Sequence, residues 1–454
     1  MKKFFLHPLI VVIFFQNSIH AEPLPSPASW AYAPRSKLLW SGEVEMDSFY
    51  DTREVISIRE DLTVLYPAPV VLDECCSDVN DTPRFNMTAV RTLLRLDVEG
   101  PNIHSWRATA RIETDFAGIL NSALASLHLR HAFFKLANES DMILIGQYWH
   151  PLFVDDCFGK GWDIGAPIEA YARDPQFRWT HRSGKFEYIF AALEQGEAFK
   201  SNGPIGISSF YLRHAILPNI HAQFRYFIDK HIIGVGFDFK RLVPRTFFIV
   251  DSSISGAFSG VDLSGCAQPP VLPSACPSVK FKSVDEWVNN FSAIAYFAGN
   301  FNACVVDVKF LYTQNLVDLF GVGGYAVTKT NPLTGNRCYT PLQTAQGWID
   351  INSTCENIVP GIFIGALKML GSVDRIFEFD ENGDPIIYGR DPNLTYVIRV
   401  APRIVWNIKE LRVALELQYS GAAWGKFNFD PYAKAHCAEY VQNLRPVLAV
   451  YYFF

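Results

Sequence analysis

Along much of this chain apolar and polar residues alternate, in runs of about ten, with turn-forming residues between the runs. "RATARIETDF" (107–116) places Arg107, Thr109, Arg111, Glu113 and Asp115 on one face and Ala108, Ala110, Ile112 and Phe116 on the other. "GEVEMDSFYD" (42–51) sets Glu43, Glu45, Asp47 and Asp51 against Val44, Met46 and Tyr50. "LRVALELQYS" (411–420) sets Arg412, Glu416 and Gln418 against Leu411, Val413, Leu415, Leu417 and Tyr419. A period of two is the signature of strands with one wet and one greasy face. The pattern predicts strands at 38–50, 86–99, 106–116, 126–136, 142–149, 176–182, 186–194, 214–227, 232–242, 289–299, 304–313, 362–370, 373–380, 395–407, 411–424 and 443–454. Short connections alternate with long ones covering 51–85, 150–175, 243–288, 314–361 and 425–442.

Two features separate a membrane barrel from a soluble sandwich. Charges occupy successive positions of the polar face, which suits a water-filled interior. Aromatics recur ten residues apart on the apolar face: Trp40 and Tyr50, Trp106 and Phe116, Tyr396 and Trp406. Ten tilted strand residues rise about 25 Å, the height of an apolar band between two aromatic girdles. Past residue 21 no apolar run reaches the roughly 20 residues of a spanning helix. Only helices and closed barrels satisfy their backbone in lipid, so the expected fold is an all-β, transmembrane antiparallel β-barrel of 16 strands. Short turns would face the periplasm and long loops the outside.

The chain has 454 residues, 49% of them hydrophobic and 19% charged, with a formal charge of −6 and no basic block. Nucleic acid is thereby disfavoured as a partner. "MKKFFLHPLIVVIFFQNSIHA" (1–21) reads as a secretory signal peptide, followed by a proline-rich periplasmic lead-in over 22–37 and the barrel over 38–454. Export places the barrel in a Gram-negative type of outer membrane. At the other end Leu448, Val450, Tyr452 and Phe454 alternate toward lipid. Tyr452 and Phe454 resemble the signal read by the barrel-assembly machinery.

Catalytic patterns are lacking: there is no GxSxG, HExxH or GxxxxGK[ST]. His128 and His131, three apart on a strand, are expected on opposite faces and form no metal pair. No pair of CxxC motifs supports a zinc site. No enzyme activity, metal or cofactor is expected. The nine cysteines fall in the predicted long loops, except Cys304. Disulfide staples Cys266–Cys276 and Cys338–Cys355 are the simplest pairings within one loop.

Charge on the polar face offers the main candidate chemistry. Arg91, Arg95, Arg107, Arg111, Arg130 and Arg178 stack into a ladder on adjacent strands, and Glu43, Glu45 and Asp47 of the first strand are expected to oppose them. Glu113, Asp115 and Arg412 complete the predicted pore lining. Fixed charges of one sign select permeants by sign, while paired charges stiffen a wall; both roles can hold. The Gly- and Asp-rich loop after the fifth strand would narrow the lumen if it folded inward, lining a constriction with Asp155, Asp156, Lys160, Asp163, Glu169 and Arg173.

"RIETDF", "LHLRHAFF", "LIGQYWHPLF" and "RDPQFRWT" occur in the order typical of DcaP-like outer-membrane porins, and the chain resembles that family most clearly over residues 38–230. The resemblance implies a trimeric, 16-stranded porin with a basic lumen that passes small anions such as dicarboxylates. Arg107, Arg111, Arg130 and Arg178 would match the family's lumen arginines. The short proline-rich lead-in, in place of a coiled coil, and the cysteine-bearing loops depart from it. The reading is passive diffusion of small hydrophilic solutes with an anion preference. Alternatives are a structural or adhesive surface barrel with disulfide-stapled loops, an outer-membrane hydrolase and a soluble secreted β protein.

Overall fold

The computed structural model describes residues 36–118, 124–196, 200–249 and 281–454. The signal peptide, nearly all of the lead-in, Cys266 and Cys276 lie outside the described residues.

Sixteen antiparallel strands close into a barrel. In chain order they are Lys37–Asp51, a second strand in two pieces (Arg84–Thr88 and Leu93–Glu99), Arg107–Asp115, His128–Ala137, Asp141–Trp149, Arg173–Ser183, Phe186–Leu193 and Asn219–Ile228. Then follow His231–Leu242, Val288–Asn300, Cys304–Gln314, Arg337–Ser353, Ile358–Ser372, Leu394–Ile408, Leu411–Lys426 and His436–Phe453. The last strand pairs with the first, Glu43 opposite Phe453 and Phe49 opposite Val447. Closure leaves no sheet edge without partners, as a bilayer demands.

The period of two decides which side chains meet lipid. In the final strand Val441, Asn443, Arg445, Val447 and Ala449 are buried inward while Leu444 and Leu448 are exposed outward. Phe177, Phe190, Phe237, Phe310, Ile364 and Leu415 are similarly exposed on other strands. A closed barrel wearing an exposed apolar band is built to span a membrane. The aromatic pairs Trp40/Tyr50 and Tyr396/Trp406 lie on this outer face, with Trp40 exposed.

The strand count matches expectation, yet two assignments do not. "RCYTPLQTAQGWIDINS", expected within a long loop, is the twelfth strand, Arg337–Ser353, paired with the eleventh and thirteenth. Its outward positions include Gln343, Ala345 and Gly347, so the greasy face that marks the other strands is faint here. The segment 373–380, expected as a strand, is loop, with only an isolated bridge from Phe379 to Pro385. The twelfth strand also rules out a Cys338–Cys355 bridge. The two cysteines lie at opposite ends of it, roughly 50 Å apart at about 3.3 Å per residue, whereas a disulfide needs Cα atoms within about 7 Å.

Bulges adjust two inner faces. The second strand carries an extra residue between Thr88, opposite Asp47, and Leu93, opposite Glu43, and this irregularity aims Arg91 inward. In the fourth strand Glu113 faces His131 while the adjacent Thr114 faces Leu129, so Arg130 is the extra residue. A single insertion inverts the alternation. His128 and His131 are therefore both buried on the inner face, not on opposite faces as their spacing suggests.

Candidate functional site

Three connections on the side of the long loops fold into the barrel. The first carries a hairpin, Val55–Ile58 with Thr63–Pro67. Its Tyr66 ring packs 5.6 Å from Trp424, whose indole N–H donates to the Pro67 carbonyl at 3.1 Å. Another follows the eleventh strand, where Lys240 Nζ reaches Asp318 Oδ1 at 2.6 Å.

Residues 150–172 form a second inward segment. It opens with a 3-10 turn, Pro151–Phe153, capped by His150 Nδ1 accepting from the Leu152 N–H at 3.2 Å. From there it is tied to the inner wall nearly all the way round. Asp156 pairs with Arg225 of the eighth strand. The Cys157 thiol lies 3.6 Å from the carbonyls of Phe297 and Val308, on the tenth and eleventh strands. Lys160 approaches Asp307 at 3.5 Å, and its backbone N–H donates to Asp350 at 3.1 Å. Trp162 donates from its indole to Asp47 at 2.8 Å and from its backbone to Glu416 at 3.0 Å. Asp163 pairs with Arg399, which also donates to the carbonyls of Val64 and Leu65 at 3.0 and 3.1 Å, joining the two inward loops. Gly165, at φ +90°, permits the close approach to Phe363; a Cβ there would sit 2.6 Å from that ring. Tyr171 stacks on Phe320 at 4.3 Å, linking to the third connection. Tyr66, Phe153, Tyr171, Phe320 and Trp348 belong to one buried cluster inside the barrel.

The expected constriction residues therefore divide. Glu169, Asp163 and Arg173 are buried and serve as anchors, Arg173 stacking on Trp149 at 4.0 Å. Asp155, Asp156 and Lys160 are exposed within the barrel.

The opposite wall, strands two to six, is wetter. Arg95 reaches Glu113 at 2.8 Å; Arg111 grips Asp97 with two bonds of 2.7 and 3.2 Å; Arg130 bridges Glu113 at 2.9 Å and Asp115 at 2.7 Å. Arg107, 67% exposed, lies 3.5 Å from Glu99. The Arg95 and Arg111 side chains stay 35% and 34% exposed although they point inward, so water enters beside them. Arg399 and Lys309 on the filled side are at 0%.

Glu43, Glu45 and Asp47 do not oppose this ladder, because the first strand pairs directly with the second. Glu45 sits beside Arg91 at 3.7 Å and Asp47 receives Trp162. No acidic wall faces a basic one here; opposite charges stand side by side. Arg412 bonds Asn407 at 2.9 Å and stacks on Phe453 near the short-turn end.

On strands four and six, among the described residues, Lys135 and Arg178 have no carboxylate within ion-pair distance. Arg178 donates to Gln176 at 2.9 Å and to the Trp149 carbonyl at 2.6 Å. Lys135, overlooked in the sequence, packs its ammonium 5.0 Å from the Phe133 ring and 4.8 Å from Tyr148. Arg225, Lys240, Lys309, Arg399, Arg403 and Arg445 were also overlooked. Each occupies an inward position of an alternating strand, so parity alone could have flagged them.

Neither a protein-family model nor a curated protein sequence matches this chain. Solved structures do. The outer membrane channel DcaP of Acinetobacter baumannii superposes with a TM-score of 0.62 at 13% identity, covering 92% of this chain and 97% of that one. An anion-selective porin from Comamonas acidovorans gives 0.50 at 8% identity, over 92% and 100% of the two chains. The outer-membrane expressed OmpT of Vibrio cholerae gives 0.50 at 8% identity, over 92% and 98%. At these identities the likeness is one of architecture, and this chain has the closed sixteen-stranded barrel fold of outer-membrane channels.

Proposed function

We propose that this chain is an outer-membrane channel for passive diffusion of small hydrophilic solutes, with a modest preference for anions such as dicarboxylates. The observation that supports it most is the asymmetry of the lumen. Loops fill the side of strands eight to sixteen through buried pairs, while on the arginine-bearing wall of strands two to six Arg95 and Arg111 point inward and stay in water. Solutes pass between that wall and the exposed residues Asp155, Asp156 and Lys160. Neighbouring opposite charges largely cancel at a distance, so the Arg95, Arg111 and Arg130 pairs contribute little net field. The surplus comes from Lys135 and Arg178, partly offset by Asp155 on the neighbouring Tyr148, which is why the preference is modest. The proposal includes export by the 1–21 signal peptide, insertion through the Tyr452/Phe454 signal and assembly as a homotrimer in outer-membrane lipid. The architecture shared with DcaP and the anion-selective porin is in keeping with it.

The test is reversal potential in a salt gradient across a planar bilayer holding the purified chain. A conducting, weakly anion-selective pore is expected; a cation-selective one would overturn the sign. The buried cluster of Tyr66, Phe153, Tyr171, Phe320 and Trp348 inside the barrel favours a second reading, a surface barrel with an occluded lumen. A chain that inserts yet never conducts would establish that reading instead.

A further inference from the structure

Tyr148 stands at the meeting of the wet wall and the inward loop. Two cations approach its ring, Lys135 Nζ at 4.8 Å and Arg178 Cζ at 5.2 Å from the centroid. Phe133 and His131 pack against it at 4.9 and 5.2 Å. Its hydroxyl donates to Asp155 Oδ2 at 2.6 Å. Asp155 belongs to the inward loop and is exposed within the lumen. Among the described residues neither Lys135 nor Arg178 has a carboxylate within ion-pair distance, whereas Arg95, Arg107, Arg111 and Arg130 on the same wall each do.

We infer that Tyr148, Lys135 and Arg178 form a docking station for free carboxylates, and that Asp155 is a tethered occupant which a permeating carboxylate displaces. The inference rests on the anion-channel reading above. A phenol hydroxyl, an ammonium and a guanidinium can all donate to carboxylate oxygens, and the two cations accept from none. The one charged group the chain itself sets on Tyr148 is a carboxylate, which argues for that class of solute over others. Tethering gives Asp155 a high effective concentration, so weak solutes compete poorly and only those making further contacts with the cations exchange for it. A dicarboxylate can replace Asp155 on Tyr148 with one end and engage Lys135 or Arg178 with the other. Arg178 is buried and Lys135 half-buried, so the solute meets them at the edge of the water-filled lumen, where Asp155 is exposed and a charge contact is weak. Binding stays loose enough for release, as conduction requires.

The test uses the whole chain in planar bilayers, with succinate and acetate titrated into a chloride solution and the change in single-channel current read as apparent affinity. Asp155→Asn removes the tethered carboxylate and should tighten succinate binding by about threefold, the size of one exposed charge contact. Succinate should gain more than acetate. Adding Lys135→Met to Asp155→Asn should abolish the gain. Asp97→Asn removes a carboxylate from the same wall without touching the triad. It should shift the reversal potential toward anions while leaving succinate affinity as it was. Equal gains in succinate affinity from Asp97→Asn and Asp155→Asn would make the effect one of bulk charge and overturn the station, while leaving the anion channel standing. A chain that inserts yet carries no current in either background would bring down the channel reading itself.

Discussion

Lys309 of the eleventh strand places its ammonium 2.8 and 3.0 Å from the two carboxylate oxygens of Glu169 on the inward loop, and neither side chain reaches water. The same ammonium donates to the carbonyls of Leu152 and Phe153 at 3.3 and 2.9 Å. One lysine thus ties both ends of the 150–172 segment to the barrel wall. Glu169→Gln leaves a buried cation without its counter-charge, a change that costs about 3–5 kcal/mol. The loop should loosen while the barrel persists. Hydrogen exchange of the loop amides should accelerate and open-channel noise should rise. Glu169→Leu with Lys309→Met should recover much of the protection, since a well-packed apolar pair avoids the desolvation cost. Unchanged protection in Glu169→Gln would remove the pair from its anchoring role.

Arg107 and Arg111 sit toward the short-turn end of the wet wall, and their replacement by Ser should lower anion preference. Arg111→Ser also strands Asp97, which Arg111 holds by two bonds. The double variant should shift the reversal potential toward cations, more at 0.1 M salt than at 1 M, because screening shortens from about 10 Å to about 3 Å over that range. No shift at low salt would place both residues outside the solute path.

Gly165 combines φ +90° with the contact to Phe363. Gly165→Ala meets two penalties, a left-handed backbone that disfavours a side chain and a clash with the ring, together about 1–3 kcal/mol. Faster exchange in the loop is the expected readout. Phe363→Ala placed in the Gly165→Ala background should restore only part of the protection, because it relieves the clash and not the backbone. Full restoration would mean the backbone term is absent.

Asp430, in the connection before the last strand, accepts from His436 at 2.7 Å and from the backbone N–H groups of Tyr432 and Lys434 at 2.8 and 3.0 Å. Burial works to raise its pKa, but these hydrogen bonds outweigh it and hold the carboxyl below the ordinary 3.8. A carboxyl depressed in the folded state stabilises above its unfolded value and loses that contribution as pH falls through the folded one. Exchange protection at Tyr432 and Lys434, corrected for intrinsic rates, should hold at pH 5 to 7 and decline below the ordinary aspartate value. In Asp430→Asn the decline should vanish. A decline of the same depth in that variant would assign the effect to another group.

Alternation along the chain is enough to specify the barrel and which side chains face water, because the period of two is local: each residue declares its face through its two neighbours. It determined the inward direction of Arg95, Arg107 and Arg111 in this way. It failed where the local signal was weak or broken, at Ala345 and Gly347 of the twelfth strand and at the Arg130 bulge that turns His131 inward. The partners follow from the closed fold. Asp163 meets Arg399 across 236 residues and Glu169 meets Lys309 across 140, and no alternation within a strand encodes such a pairing. Barrel closure sets which strands are neighbours and the path of the inward loop sets which charges it covers, so whether an arginine anchors a loop or stands in water is a property of the closed cylinder.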